Sequence, residues 1–551
     1  FVMPGSTFLP IAGTVGTMLA LLIGAAIVLM LAANFHTMIN HTTLSGGMFA
    51  YTKTIFGYDH AFLCAWAIAL AYISLIWANA TAFVLIARYL FGDVLQWGFH
   101  YVVAGYDVYL GEILVTLFVL CFFGVLSTQS RKIVGIVQTT LACVLFGGVV
   151  LVFVLALFHS NASAASLLPA FANKHIADAA SATSLSDSVA HPLLQICNIV
   201  ALAPWAFVGF EAIALIHGEQ QLPAVQASRK RSFRVMALAI FCGALVYELL
   251  TLLSVLALPA QCATWQYYIA RLSTFSGMDA LPTFHAAKAL LGKSGVALLG
   301  VCVFAALSTS MLGFYCSTGR LMQALAKDAI LPAWFSVETK HGVPKHALLF
   351  LMCSSVVIPF IGRTAIGWLT DITTVSACIA YVYISLCAAI VARKGKKRGA
   401  YIIGVAGAAA SVLLFFFPLV QVFWDVDALS TESYLILAAW SIAGFVIFRL
   451  VFQHDKQNRF GKSVAMLLAL LFIIFFSSTL WMRQITHVQT ETAIENISNF
   501  HSTQHKLANQ PITRSQLERE KDFMETQMDI IRGSQLANSL VQLALVVSTL
   551  V

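Results

Sequence analysis

Proline, glycine and a carboxylate stand close together inside one apolar run. The segment Ala203-Pro204-Trp205-Ala206-Phe207-Val208-Gly209-Phe210-Glu211 lies within the stretch from about Leu193 to Ile216. Unsatisfied backbone groups and ionisable side chains are expensive in hydrocarbon and persist where they line a cavity or a substrate path. A helix interrupted at mid-membrane frees N–H and C=O groups that can hold the charged ends of a small ligand. The chemistry on offer is therefore recognition: backbone groups from Ala206 to Gly209 for an amino or carboxylate end, and the Trp205 indole for an aliphatic stem or a cation. Glu211 has two possible roles. It either titrates during a proton-coupled cycle or accepts hydrogen bonds that pin a gate. Glu248, in Tyr247-Glu248-Leu249-Leu250, and Asp371 are further intramembrane carboxylates that could face interior cavities.

The elements that must position these groups follow from composition. The 551 residues are 60% hydrophobic and 10% charged, with a mean hydropathy of +0.85, which defines a polytopic helical membrane protein. Spanning segments are expected at Pro10–Phe35, Ala61–Phe91, Leu110–Thr128, Ile133–Phe158, Pro192–His217, Val235–Leu258, Gly295–Thr318, Ala347–Ile361, Ile366–Ala392, Ile402–Trp424, Tyr434–Val451, Val464–Met482 and Leu536–Val551. The net charge of +8 does not point to nucleic acid, because the basic residues are confined to alternate short loops. These are Arg131-Lys132, Arg229-Lys230-Arg231 with Arg234, Arg320 to Lys345, Arg393 to Arg398, and Lys456 to Lys462. The positive-inside rule makes that set cytoplasmic, with one consistent orientation along the chain. Of the 11 Cys, only Cys262 falls in an expected loop, so the set reads as small apolar side chains rather than a disulfide or metal framework. No phosphate loop, zinc spacing or nucleophile elbow appears, and no enzyme or cofactor is expected. Phe1 opens without a Met and Val551 ends inside an apolar run, so both ends are expected to be cut.

One segment departs from this pattern. Gln484–Gln535 is polar, with mixed charge and Pro511 between two helical patterns, and Leu517, Met524, Met528 and Ile531 form a thin apolar stripe. It is expected outside the bilayer as a helical hairpin between two spans, either a solvated loop or a sensory or dimerising module.

Three motifs then resemble one family. Ser45-Gly46-Gly47-Met48-Phe49-Ala50-Tyr51, followed by Phe56-Gly57, resembles the cytoplasmic approach to the third span of amino acid–polyamine–organocation (APC) permeases. Phe207-Val208-Gly209-Phe210-Glu211 resembles that family's broken sixth span. Gly319 to Pro332 resembles its exit from the eighth, with Ala329 in place of a glycine, and Gly342-Val343-Pro344 comes next. The resemblance covers residues 1–451 and implies two inverted five-helix repeats, with spans one and six broken around the substrate. Phe1-Val2-Met3-Pro4-Gly5 would be the outer half of span one. The implied organisation is a permease domain at 1–452 and C-terminal spans at 453–551 that flank the hairpin.

The resemblance also implies roles for particular residues. Trp205 is similar in position to the aromatic that covers substrate in the arginine/agmatine antiporter branch. Asn79, ten residues before Tyr89, matches that branch's substrate-contacting asparagine. Phe314 resembles a substrate-facing aromatic of span eight, and Tyr381 an outer gate residue of span ten. Ser308-Thr309-Ser310 could offer hydroxyls to a sodium ion. Thr140 to Leu145 lacks the lysine that replaces sodium in some relatives, so the coupling ion stays open. The implied activity is secondary transport of an amino acid or amine, a neutral or cationic one because no basic residue lies near the midplane. The alternative is a permease-like receptor that signals through its C-terminal spans to a diguanylate cyclase or histidine kinase, with a homodimer formed by the hairpin. The small molecule and the lipid bilayer are the expected partners, in the plasma (inner) membrane.

Overall fold

In a computed structural model the described residues are 1–42, 44–103, 106–160, 167–172, 192–216, 223–340, 342–420, 429–453, 473 and 479–480. Residues 453–551, with the expected hairpin at 484–535, fall almost entirely outside them. Two compact units divide the chain, the first carrying Phe1–Pro418 and the second beginning at Leu419. The first unit holds spans one to ten.

Among the described residues, nine helices are long and apolar enough to cross a membrane, and Pro192–Ala201 and Lys345–Phe360 are shorter apolar helices. The protein is thus an all-α polytopic membrane protein. Its one sheet among the described residues is a two-stranded antiparallel ribbon, His100–Val103 paired with Tyr106–Tyr109, in the loop between spans three and four. The helix Leu9–His41 contains two elements, because Gly13 takes φ +71° and turns the chain between the outer half of span one and span two. Hydropathy alone merges the two, since Pro10, Ile11 and Ala12 are as apolar as the residues after the turn.

The inverted repeat is visible in which helices touch. The most extensive contacts join Pro282–Lys327 (span eight) to Arg131–His159 (span five), and Ala365–Lys394 (span ten) to Tyr58–Phe91 (span three). Adding five to a first-repeat span gives its second-repeat counterpart, so these two interfaces exchange with one another. Next come span two against Pro223–Leu256 (span seven) and span three against span eight, each its own counterpart. Spans three and eight run antiparallel along a ladder of pairs: the Tyr72 and Phe314 rings lie 5.6 Å apart, Asn79 donates to Ser310 at 2.9 Å, and Phe83 sits 5.8 Å from Phe304.

The end opposite the basic loops is covered by two loops. The 167–172 strap crosses the corner between spans one and two, where the Thr14 hydroxyl donates to the Leu167 carbonyl at 2.6 Å and the Val15 amide to that of Ala170 at 3.0 Å. A Cβ added at Gly13 would lie 2.6 Å from the Phe171 Cα, so glycine is needed there both for its φ and for the close approach. Behind the strap, a lid formed by Trp265–Ala270 and the start of Pro282–Lys327 covers the outer half of span one. Leu9, Val255 and Trp265 are buried with the half-buried Leu167 packed against them, and the Thr283 hydroxyl donates to the Phe1 carbonyl at 2.9 Å.

Gln195, buried on Pro192–Ala201, fastens the strap to span six. Its amide donates to the Ala172 carbonyl at 2.6 Å and accepts from the Ala172 N–H at 3.3 Å. Gln195→Ala leaves both backbone groups without that partner, and is expected to cost about 1–3 kcal/mol. Thermal denaturation in detergent, with hydrogen exchange of 167–172, measures the loss; unchanged exchange there would show that Gln195 does not hold the strap.

Candidate functional site

Span six breaks where its sequence allows a helix no further. Pro192–Ala201 continues through a turn at Leu202 into Ala203–Phe207, with Pro204 in the first turn, where its missing N–H costs nothing. Val208 then leaves the helical region (φ −55°, ψ 140°) and Gly209 takes φ +112°, a conformation in which a side chain is strained. The 3₁₀ turn Phe210–Ala212 and the helix Ile213–Ile216 resume in a new direction.

Glu211 holds this break. Its side chain is 1% exposed, and the carboxylate collects three donors: the Tyr72 hydroxyl on Oε1 at 2.9 Å, the Gly209 amide on Oε2 at 2.9 Å and the Tyr381 hydroxyl on Oε2 at 3.4 Å. A carboxylate removed from water is costly unless its lone pairs are occupied, and here they are filled from span three, span ten and the break itself. Phe210 completes the knot, 5.5 Å from the Phe35 ring of span two and 5.9 Å from Tyr381.

The other residues singled out in the sequence lie around this knot at different depths. Trp205 is half-buried in the half-helix ahead of the break, packed against the buried cluster of Phe8, Ala12, Ala20, Leu21 and Ile199, and its indole N–H has no partner among the described residues. The Tyr247 hydroxyl donates to the Ala206 carbonyl at 3.4 Å, and Phe207 lies 6.1 Å from the Tyr247 ring. The Phe314 ring closes on the break from span eight, its edge 3.4 Å from where a Gly209 Cβ would stand. Phe314, Tyr72, Gly209 and Glu211 are therefore one cluster. Asn79 sits two helical turns further out, its amide bound to the Leu75 carbonyl (2.6 Å) and Ser310. Ser308 is buried, its hydroxyl unpartnered among the described residues, while Thr309 beside it is half-buried. Both Glu248 oxygens on span seven are likewise buried without a partner among the described residues, and Asp371 is half-buried on span ten.

Tyr72 was not legible in the sequence. An intramembrane tyrosine reads as a packing aromatic, and only the fold places its hydroxyl against Glu211. The motifs at the basic end are joined as well: Lys53 pairs with Asp328 at 2.6 Å, tying the Met48–Phe56 helix to the exit of span eight. A Gly47 Cβ would lie 3.0 Å from Leu215, which brings the same loop onto the inner half of span six.

Between that inner half and the basic loops lies a cavity of about 260 Å³, whose lining includes Ala212, Leu215, Arg131 and Arg320. A broken span six, an inverted repeat, a strapped outer face and a cavity on the basic side together define a multi-pass membrane protein of the APC fold. The family profile described as "Amino acid permease" matches residues 2–428, and the chain belongs to that family. A D-serine/D-alanine/glycine transporter of Escherichia coli is 26% identical over 251 residues, 44% of this chain and 50% of the relative. An arginine/agmatine antiporter of Chlamydia trachomatis is 24% identical over 379 residues, 67% of this chain and 69% of the relative. The chain spans about half the length of the first curated relatives it matches.

The knot is tested by removing its donors. Tyr72→Phe deletes the 2.9 Å bond and is expected to destabilise by about 1–3 kcal/mol, with a smaller cost for Tyr381→Phe at its longer distance. Glu211→Gln can accept on one arm only and turns an amide donor toward donors on the other, so it should cost at least as much. In a Tyr72→Phe/Glu211→Gln double-mutant cycle read by thermal unfolding, zero coupling would remove Tyr72 from the knot.

Proposed function

We propose that the chain is a secondary transporter of an amino acid or related amine that works by alternating access about broken spans one and six. The observation that carries this reading is the Glu211-held break, placed between a strapped outer face and a cavity at the basic end. In it, Ala206, Phe207, Val208 and Gly209 offer backbone to the solute, Trp205 and Phe314 enclose its stem, and Asn79 contacts it from span three. Glu211 and Tyr381 act at the gate, and the Ser308 and Thr309 hydroxyls serve any coupling ion. The substrate is neutral or cationic, because the broken span from Leu193 to Ile216 carries no basic residue to neutralise an extra carboxylate. The names of the relatives, a transporter of small D-amino acids and an arginine/agmatine antiporter, support the same class.

Purified protein in liposomes, challenged with a panel of labelled amino acids and amines, provides the test. Trp205→Ala should weaken the apparent affinity for whichever solute is taken up by about 1–2 kcal/mol, roughly tenfold, without unfolding the protein. Unchanged affinity would return Trp205 to packing, and no uptake of any solute would remove the transport reading.

A second reading, a transporting sensor that dimerises and signals through its C-terminal spans, is supported by the polar 484–535 segment bracketed by apolar runs. Deleting 484–551 should then leave solute binding intact and abolish any cross-linked dimer. Loss of binding would place the segment in the transport fold instead.

A further inference from the structure

The cavity at the basic end has an unusual charge pattern. Arg131 opens span five and Arg320 sits on the inner part of span eight, and both line the same space of about 260 Å³. No Asp or Glu is in the described lining, although Gln129, Gln138 and Ser317 are. One nitrogen of Arg131 is taken by the Gly342 carbonyl at 2.8 Å. Arg320 makes no hydrogen bond or ion pair with any described residue, and the two guanidinium groups repel one another. Glu338 stands outside the lining but close to it: its Oε1 accepts from Gln323 at 2.6 Å and Lys327 at 3.3 Å, and its Oε2 and an Arg131 nitrogen lie 3.5 and 3.0 Å from where a Gly342 Cβ would stand. Span five, 29 residues long and capped by the Ser130 hydroxyl, adds the positive end of its dipole to the same wall.

Glu338, already shared with Gln323 and Lys327, is outnumbered by the charges around it, so among the described residues the two cations facing the cavity are under-neutralised and suited to an anion. The cavity's position selects which anion. Ala212 and Leu215 form part of its wall, so it adjoins the inner face of the break directly beyond Glu211. A zwitterionic solute leaving the break into this cavity would meet the guanidinium groups, a polarity matched to a leading carboxylate.

We propose that Arg131 and Arg320 form a carboxylate-binding subsite in the cytoplasmic vestibule, at which an amino acid docks on its way to or from the broken span. The subsite rests on the transport reading for its role, but not for its existence.

Cys316 lies in the same lining and reports on it without any need for transport. In inside-out vesicles holding the full chain, Cys316 is modified with sulfonatoethyl methanethiosulfonate or with its trimethylammonium counterpart, and the product is read by peptide mass mapping. After normalisation to a free thiol, the anionic reagent should react roughly tenfold faster, and less so at high salt. Acetate and alanine should protect Cys316 while methylamine does not. Arg320→Gln should abolish both the charge preference and the protection, and Arg320→Lys should retain the preference. Arg131→Gln gives the same readout if Arg320→Gln fails to insert. Absence of charge preference, equal protection by methylamine, or protection by inorganic phosphate but not acetate would overturn the proposal. Preference and protection without uptake in liposomes would keep the subsite and remove the transport reading; uptake without preference would do the reverse.

Discussion

Burying a carboxylate in a membrane protein is tolerable only when its lone pairs are spoken for, and that constraint at Glu211 organises the centre of this fold. Two of its donors come from helices of different repeats, Tyr72 on span three and Tyr381 on span ten, and the third comes from the break in its own chain. The knot therefore fixes the direction in which span six resumes, and with it the position of Ala212 and Leu215 above the inner cavity. Any rearrangement that swings the inner half of span six must carry the three donors with it or exchange them for others at once. Such a requirement makes intermediate positions costly and favours two discrete arrangements over a continuum.

The two faces of the molecule are closed by different chemistry. On the outer side, backbone groups of the 167–172 strap are paired one by one with Thr14, Val15, Gln195 and Gln266, and the apolar faces of the lid are buried beneath. On the inner side, closure relies on a charge pair, Lys53 with Asp328, and on glycines that let the loop lie against spans six and eight. Hydrogen bonds to backbone give a seal that is little affected by salt, whereas a partly exposed ion pair is screened and individually weak.

Much of this was legible in the sequence, and the rest fails for identifiable reasons. Span positions and orientation follow from apolarity and basic loops, which act residue by residue. The break at Val208–Gly209 announces itself because proline, glycine and glutamate violate the local rule. The Gly13 corner does not, since a turn between two apolar helices leaves hydropathy unchanged and only the backbone torsion records it. Tyr72, Gln195 and the Arg131–Arg320 pairing are long-range facts: each residue is ordinary for its segment and acquires meaning from a partner more than twenty residues away. The lid's helical start was likewise hidden, because Pro282–Lys327 extends well beyond the apolar core of span eight at both ends.

That extension has a mechanical side. Beyond its kink at Gly292, the helix continues without interruption to Lys327, a stiff rod of about 50 Å against a hydrocarbon thickness of about 30 Å. Ser310, Phe314 and Arg320 are mounted on it in that order, and Asp328 caps its far end. A rod cannot move at one point alone: a tilt of about 5° pivoting near the lid would sweep the inner tip by roughly 4 Å. The Asn79 partner Ser310, the aromatic wall of the break and the inner arginine are thus graduations on a single lever arm, hinged to the lid at Gly292. What the outer loops do to its upper end is felt, enlarged, at the water on the other side.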